Sequence, residues 1–181
     1  VSVDLVKGEQ RSPAHLARNP QGLVPVLEID GLRLTQSLAI LDYLDQTHKM
    51  DLLPKDPALR VQAQALAQSI AVDIHPVCNL GVVAYAASTA ADPSAAREAW
   101  MARFIRPGLE AFESLLEALE QQPYCIGAMP GLGDICLMPQ LYNARRWGVD
   151  FADLPRIVAV EAACAQHPAF AAAHPDAVHN T

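Results

Sequence analysis

Apolar and polar residues alternate in a few short runs near the start of the chain and recur at helical spacing through most of the rest. VSVDLV, residues 1–6, alternates like a strand. Ser12 and Pro13 then stand as N-cap and first helical residue of a short helix that ends near Asn19-Pro20. Val24 to Ile29 reads as a second strand, and Leu32 to Thr35 as a third that returns antiparallel with Leu32 and Leu34 on one face. Between them, Asp30-Gly31 is a two-residue hairpin turn of the type that needs positive φ. Leu38, Ile40, Leu41 and Leu44 mark a helix from Ser37 to about His48.

After that the strand signals stop. DLLPKDP reads as a linker, and Asp56-Pro57 caps a long helical segment through about Ala86. ADP at 91–93 starts another to about Gln121, with Phe104, Leu109, Phe112, Leu115 and Leu119 at helical spacing. A third begins in GLGDICLMPQLYNARRW, where Asp134 is placed to cap the helix N-terminus, and shorter helices follow Leu154 and Pro168. The expected architecture is an α/β domain over residues 1–48 followed by an all-helical domain over residues 49–181. A sequence that opens on Val1 in mid-sheet implies a preceding strand and helix, of the order of the roughly 30 residues of a βαβ unit.

Composition narrows the partners. The 181 residues carry a net charge of −7 with no lysine or arginine cluster, which argues against nucleic acid but leaves a small anionic ligand open. No stretch approaches the roughly 18 apolar residues of a membrane span. Charged residues interrupt the N-terminus at Asp4, Lys7, Glu9 and Arg11, as no signal peptide would allow. Cys78, Cys125, Cys136 and Cys164 show no C-x-x-C spacing and lie in apolar runs, so reduced buried thiols of a cytoplasmic protein are favoured over metal or disulfide roles. No metal site is expected.

Two features in GLVPVLEIDGLRLTQSLAIL, residues 22–41, point to a ligand. Pro25 has no N–H to give a ladder, so it is either an edge residue or part of a cis Val24-Pro25 bond that turns the Val24 and Val26 backbone towards a ligand. The Asn19-Pro20 turn before it and the hairpin after it favour the second. Gln36-Ser37 is either a plain helix cap or an anion site built from free N–H groups and the Ser37 hydroxyl. Together the two features would suit an extended peptide with a terminal carboxylate, such as glutathione.

The stretch NPQGLVPVLEIDGLRLTQSLAILDYL resembles the second half of the thioredoxin-like domain of a glutathione transferase. With KGEQ before it, and with DIHPVCNL, PYCIG, GDICLMPQLYNARRWGVD and PDA after it, the chain is similar to the zeta class, whose main members are maleylacetoacetate isomerases. The resemblance implies a thioredoxin-like N-terminal domain, its first strand and helix missing from this chain, and a helical-bundle C-terminal domain. It implies that Gln36 and Ser37 hold the γ-glutamyl end of glutathione, that Val24, before Pro25, pairs by its backbone with the cysteinyl residue, and that Gln10 reaches the glycyl end. His75 and Asn79, four residues apart, are expected on one helix face toward the same ligand, with Pro76 kinking that helix. His75 alone would equally read as an ordinary core or surface histidine. Arg146 matches an arginine positioned for the substrate carboxylate, a role that suits a bidentate, permanently charged guanidinium. Arg145 reads as a solvated surface charge.

The implied reaction is cis–trans isomerisation of maleylacetoacetate to fumarylacetoacetate in tyrosine and phenylalanine catabolism, by thiolate addition, bond rotation and elimination. The family's serine- and cysteine-containing motif, which activates the thiol, has no match here and is expected upstream of Val1. Gly81 replaces a polar or basic side chain, and Gly131 replaces a serine or threonine N-cap. The Gly81 departure keeps open maleylpyruvate isomerisation or haloacid dehalogenation. A binding domain without catalysis is a further alternative. The family also implies a homodimer.

Overall fold

The computed structural model describes residues 1–178. Two compact units divide between Asp51 and Leu52.

The first unit contains a two-stranded antiparallel hairpin, β1 (Val26–Ile29) and β2 (Leu32–Thr35), with Leu27 opposite Leu34 and Ile29 opposite Leu32. Side chains alternate across a strand, so these four apolar residues share one face. Glu28 and Arg33 lie opposite each other on the other face and pair at 2.8 Å. The turn residues Asp30 and Gly31 have φ of 53° and 74°, the left-handed conformations that this tight hairpin requires. Helix α1 (Pro13–Leu16) precedes the hairpin, capped by Ser12. Helix α2 (Ser37–His48) follows β2, with Ile40 buried. Its far end is tied to the turn, because Tyr43 Oη and His48 Nε2 both lie within 2.9 Å of Asp30 Oδ2. His48 and then Tyr43 hold the Asp30 carboxyl below its ordinary value.

Residues 1–6 are not a strand, which corrects the three-strand expectation. Alternation marks a surface that suits a sheet but supplies no partner strand. Here Asp4 bends the segment instead: its Oδ1 accepts from the N–H groups of Val6 and Lys7 at 3.0 Å, and its own N–H donates to Glu9.

The second unit is helical: α3 (Pro57–Gln68), α4 (Leu80–Ala87), α5 (Pro93–Glu117), α6 (Leu132–Arg146), α7 (Pro155–Gln166), α8 (Pro168–Ala173) and α9 (Pro175–Val178). Asp56 and Asp92 cap α3 and α5 through their side chains, each with proline in the first turn. Leu66, Ile70, Ile105, Leu109, Phe112, Leu137, Leu141 and Ile157 form its core. Helix α5 ends at Glu117, earlier than the spacing predicts.

The segment expected as one helix from 57 to 86 is broken. After α3 the backbone widens into a π-type turn, Ser69–Ile74, in which the His75 N–H reaches the Ile70 carbonyl five residues back at 3.0 Å. Pro76 has no N–H to continue the ladder, and the chain turns through residues 75–79 before Asn79 caps α4. Among the described residues no helix is long and apolar enough to cross a membrane.

Candidate active site

In the first unit the hairpin register brings Val24, Pro25, Gln36 and Ser37 to one end. Val26 opposes Thr35, so the residues just before β1 and just after β2 are neighbours. The Val24-Pro25 peptide bond is cis and lies outside the ladder, so Pro25 removes no sheet hydrogen bond. Val24 is exposed, and neither its N–H nor its carbonyl has a partner among the described residues. Gln36 is the N-cap of α2 with φ of 70°, and its side chain does not cap the helix. It donates instead from Nε2 to Gln21 Oε1 at 2.9 Å. Ser37, the first helical residue, is exposed. The first-turn N–H groups of α2 therefore receive no side-chain cap.

Gln10 reaches this end by its backbone more than by its side chain. Its carbonyl oxygen packs so closely on Gly22 that a Cβ there would lie 3.1 Å from it. Its side-chain Nε2 turns to the Leu5 carbonyl at 3.5 Å, and its Oε1 is buried without a partner among the described residues.

His75 and Asn79, in the second unit, do not lie on one helix face. The helix that would have aligned them ends at Ile74, for the reason Pro76 imposes, and both belong to the turn before α4. Asn79 is committed to its cap, with Oδ1 accepting from the Gly81 N–H at 3.1 Å. The His75 ring is half-buried, and this burial lowers its pKa. Trp100 of α5 holds the turn from outside by donating from Nε1 to the Val77 carbonyl at 2.8 Å. That anchor was not readable from the sequence, because it joins residues 23 positions apart. Gly81 is exposed, and a Cβ there would meet only Asn79 Oδ1, at 3.7 Å, so a larger side chain fits.

Arg146 closes the last turn of α6, where a cation complements the negative end of the helix dipole. Its side chain is exposed and makes no hydrogen bond or ion pair among the described residues. Tyr142, one turn earlier on the same face, hydrogen-bonds Asp176 of α9 at 3.3 Å. Arg145 is not simply solvated, as the sequence suggested. It forks onto Glu161 of α7 and lies over the Phe151 ring.

The start of α6 fixes where Arg146 stands. Asp134 Oδ2 accepts from the Gly131 N–H at 2.8 Å, and Oδ1 accepts from the Cys125 N–H at 2.9 Å. Gly131 itself passes so near Leu52 that a Cβ would sit 2.9 Å from its carbonyl oxygen, so the missing serine or threonine has a steric cause.

Residues 1–46 match the family described as glutathione S-transferase, N-terminal domain. Over 177 residues the chain is 54% identical to the maleylacetoacetate isomerase of Rhizobium meliloti (strain 1021), covering 97% of this chain and 83% of that protein. The chain belongs to the zeta-class glutathione transferase family of the maleylacetoacetate isomerases.

Solved zeta-class structures agree. A bacterial maleylpyruvate isomerase in its holo form superposes with a TM-score of 0.93 at 38% identity, over 98% of this chain and 84% of that one. A maleylacetoacetate isomerase from Methylobacterium extorquens AM1, with bound malonate and glutathione, superposes at 0.92 with 34% identity over the same shares. The first unit is accordingly the family's thioredoxin-like domain with a small sheet, and the second is its helical C-terminal domain.

Proposed function

We propose that this protein is a glutathione-dependent isomerase that converts maleylacetoacetate to fumarylacetoacetate in tyrosine and phenylalanine catabolism. The observation that carries the reading is the 54% identity to a maleylacetoacetate isomerase along nearly the whole chain.

The residues present fit glutathione. Val24 presents an unpartnered N–H and carbonyl, which suit the two backbone bonds of an extended peptide. Beside it, the uncapped start of α2 with the exposed Ser37 hydroxyl suits the γ-glutamyl carboxylate, and the Gln36 side chain suits its polar groups. Gln10 is assigned to the glycyl end, beside Gly22, and His75 and Asn79 are assigned to glutathione binding by the family resemblance alone. When bound, glutathione supplies a thiolate whose reversible addition makes the substrate double bond rotatable.

The chain's own residues contribute binding and orientation. Val24, Gln36 and Ser37 hold the peptide at three separated points, which removes its freedom to turn. The unpaired guanidinium of Arg146 is assigned to a substrate carboxylate, which it can bind through two parallel hydrogen bonds. None of this chain's own cysteines is suited to replace the glutathione thiol. Burial pushes Cys78 and Cys136 up to about 11 and Cys164 to about 12.

Maleylpyruvate isomerisation is the second reading, favoured by the TM-score of 0.93 to a maleylpyruvate isomerase and by the open space at Gly81. Steady-state turnover of the two substrates at saturating glutathione tests the choice. The proposal expects kcat/KM to favour maleylacetoacetate; equal or absent turnover of both would contradict it.

The proposal includes a homodimer in the cytoplasm. It is supported by the family, by the free state of all four cysteines, and by the exposed apolar side chains of Val61 and Val72.

A further inference from the structure

Two buried side chains converge on one backbone oxygen beside the exposed Val24. His15 Nε2 lies 2.9 Å from the Leu23 carbonyl oxygen, and Asn19 Nδ2 donates to the same oxygen at 2.8 Å. A carbonyl oxygen only accepts, so the His15 Nε2 carries the proton. The two residues are 3% and 2% exposed. His15 Nδ1 is buried with no partner among the described residues, so the Leu23 carbonyl is the ring's one polar anchor there. Phenylalanine would fill similar space without burying an unpaired nitrogen, which is costly. What histidine adds at this position is the bond to Leu23.

That bond acts on Val24 directly, because the Leu23 carbonyl and the Val24 N–H belong to one peptide group. The group is planar and trans, so its C=O and N–H point in opposite directions. With the carbonyl drawn inward by two buried donors, the Val24 N–H is aimed away from them. Asn19 extends the same control to the other side of the site. Its Oδ1 accepts from the Gln21 N–H at 3.1 Å, and the Gln21 side chain accepts from Gln36 Nε2 at 2.9 Å.

We propose that His15 and Asn19 are positioning residues for the glutathione site, fixing the direction of the Val24 N–H through the Leu23–Val24 peptide plane and the placement of Gln36 through Gln21. The inference rests on the function proposed above and adds two residues that do not themselves touch the ligand.

The test uses the full protein, with calorimetric titration of glutathione and steady-state kinetics. His15→Phe keeps the volume and removes the donor, and His15→Gln restores an N–H near the position of Nε2. The Phe variant raises the Kd and KM for glutathione about tenfold, the worth of one such bond, while kcat and the KM for maleylacetoacetate stay within about twofold. The Gln variant returns most of that loss. Gln21→Ala, at an exposed position, raises the glutathione KM by a smaller factor and keeps the test decisive should His15→Phe not fold. An unchanged glutathione KM in folded variants, or a Gln variant no better than Phe, overturns the clamp and leaves the glutathione reading intact. Failure of the unsubstituted protein to bind glutathione overturns that reading and the clamp with it.

Discussion

Arg145 donates through its guanidinium fork to Glu161, with Nη2 at 2.6 Å from Oε2, and its Cζ lies 4.7 Å from the centre of the Phe151 ring. The next residue, Arg146, has no such partner among the described residues. Two adjacent arginines on one helix thus differ: Arg145 joins α6 to α7, whereas Arg146 is exposed and is proposed above to bind a substrate carboxylate.

Substitution separates them. Arg146→Met raises the KM for maleylacetoacetate about tenfold to a hundredfold, the worth of a charge-assisted hydrogen bond, and leaves glutathione binding unchanged. Arg146→Lys recovers only part of the loss, because an ammonium cannot fork onto a carboxylate. Arg145→Met lowers stability by about 1 kcal/mol and leaves both KM values unchanged. Steady-state kinetics with urea unfolding reads all three.

Gly131→Ser tests why the N-cap serine is missing. On capping propensity alone the substitution should stabilise α6. The added Cβ would meet the Leu52 carbonyl at 2.9 Å, and backbone gives way less readily than a flexible side chain. The expected outcome in urea unfolding is a loss of about 1–3 kcal/mol, as for other overpacked sites.

Asp134 gives stability a pH dependence of unusual sign. Burial raises its pKa above the ordinary 3.8, outweighing the N–H groups of Gly131 and Cys125, which favour the charged form. The folded state therefore keeps its proton at pH values where the unfolded chain has released it. Between those two pKa values this group's contribution to stability falls as pH rises. Asp134→Asn removes the titration. Unfolding free energies measured for both proteins from pH 4 upward should show the unsubstituted protein losing stability relative to the variant.

The cysteines should be unreactive while the protein is folded. Burial is the main cause for all four raised thiols, and the Asp134 carboxylate adds to it at Cys125 and Cys164. With Cys78 at about 11, roughly a thousandth of it is thiolate at pH 8. An aromatic disulfide reagent should label the native protein slowly and all four thiols rapidly in denaturant.

Local chemistry was the legible part of this fold. Asp30-Gly31 dictated the hairpin because few dipeptides accept positive φ at both positions, and Ser12, Asp56 and Asp92 announced their helices as caps. Residues 1–6 misled because alternation describes a side-chain pattern and cannot say whether a partner strand adjoins it. Pro76 was visible as a disruption, but the π-type turn before it depends on packing against α5, where Gly108 leaves room for Ile74.

Contacts between distant residues were hidden. Glu113 of α5 accepts from the N–H groups of Arg156 and Ile157, capping α7 across more than forty residues. Within the candidate site, the cis Val24-Pro25 bond and the helix start at Ser37 were readable, whereas the His15 bond to Leu23 was not. A lone histidine in a short helix carries no signal of the carbonyl it will meet.

Maleylacetoacetate isomerisation by the purified protein, followed with and without glutathione, reads the proposed activity itself. Turnover is expected to saturate with glutathione, to cease when it is removed, and to return glutathione unconsumed. Equal turnover in its absence, or none in its presence, would contradict the proposed activity.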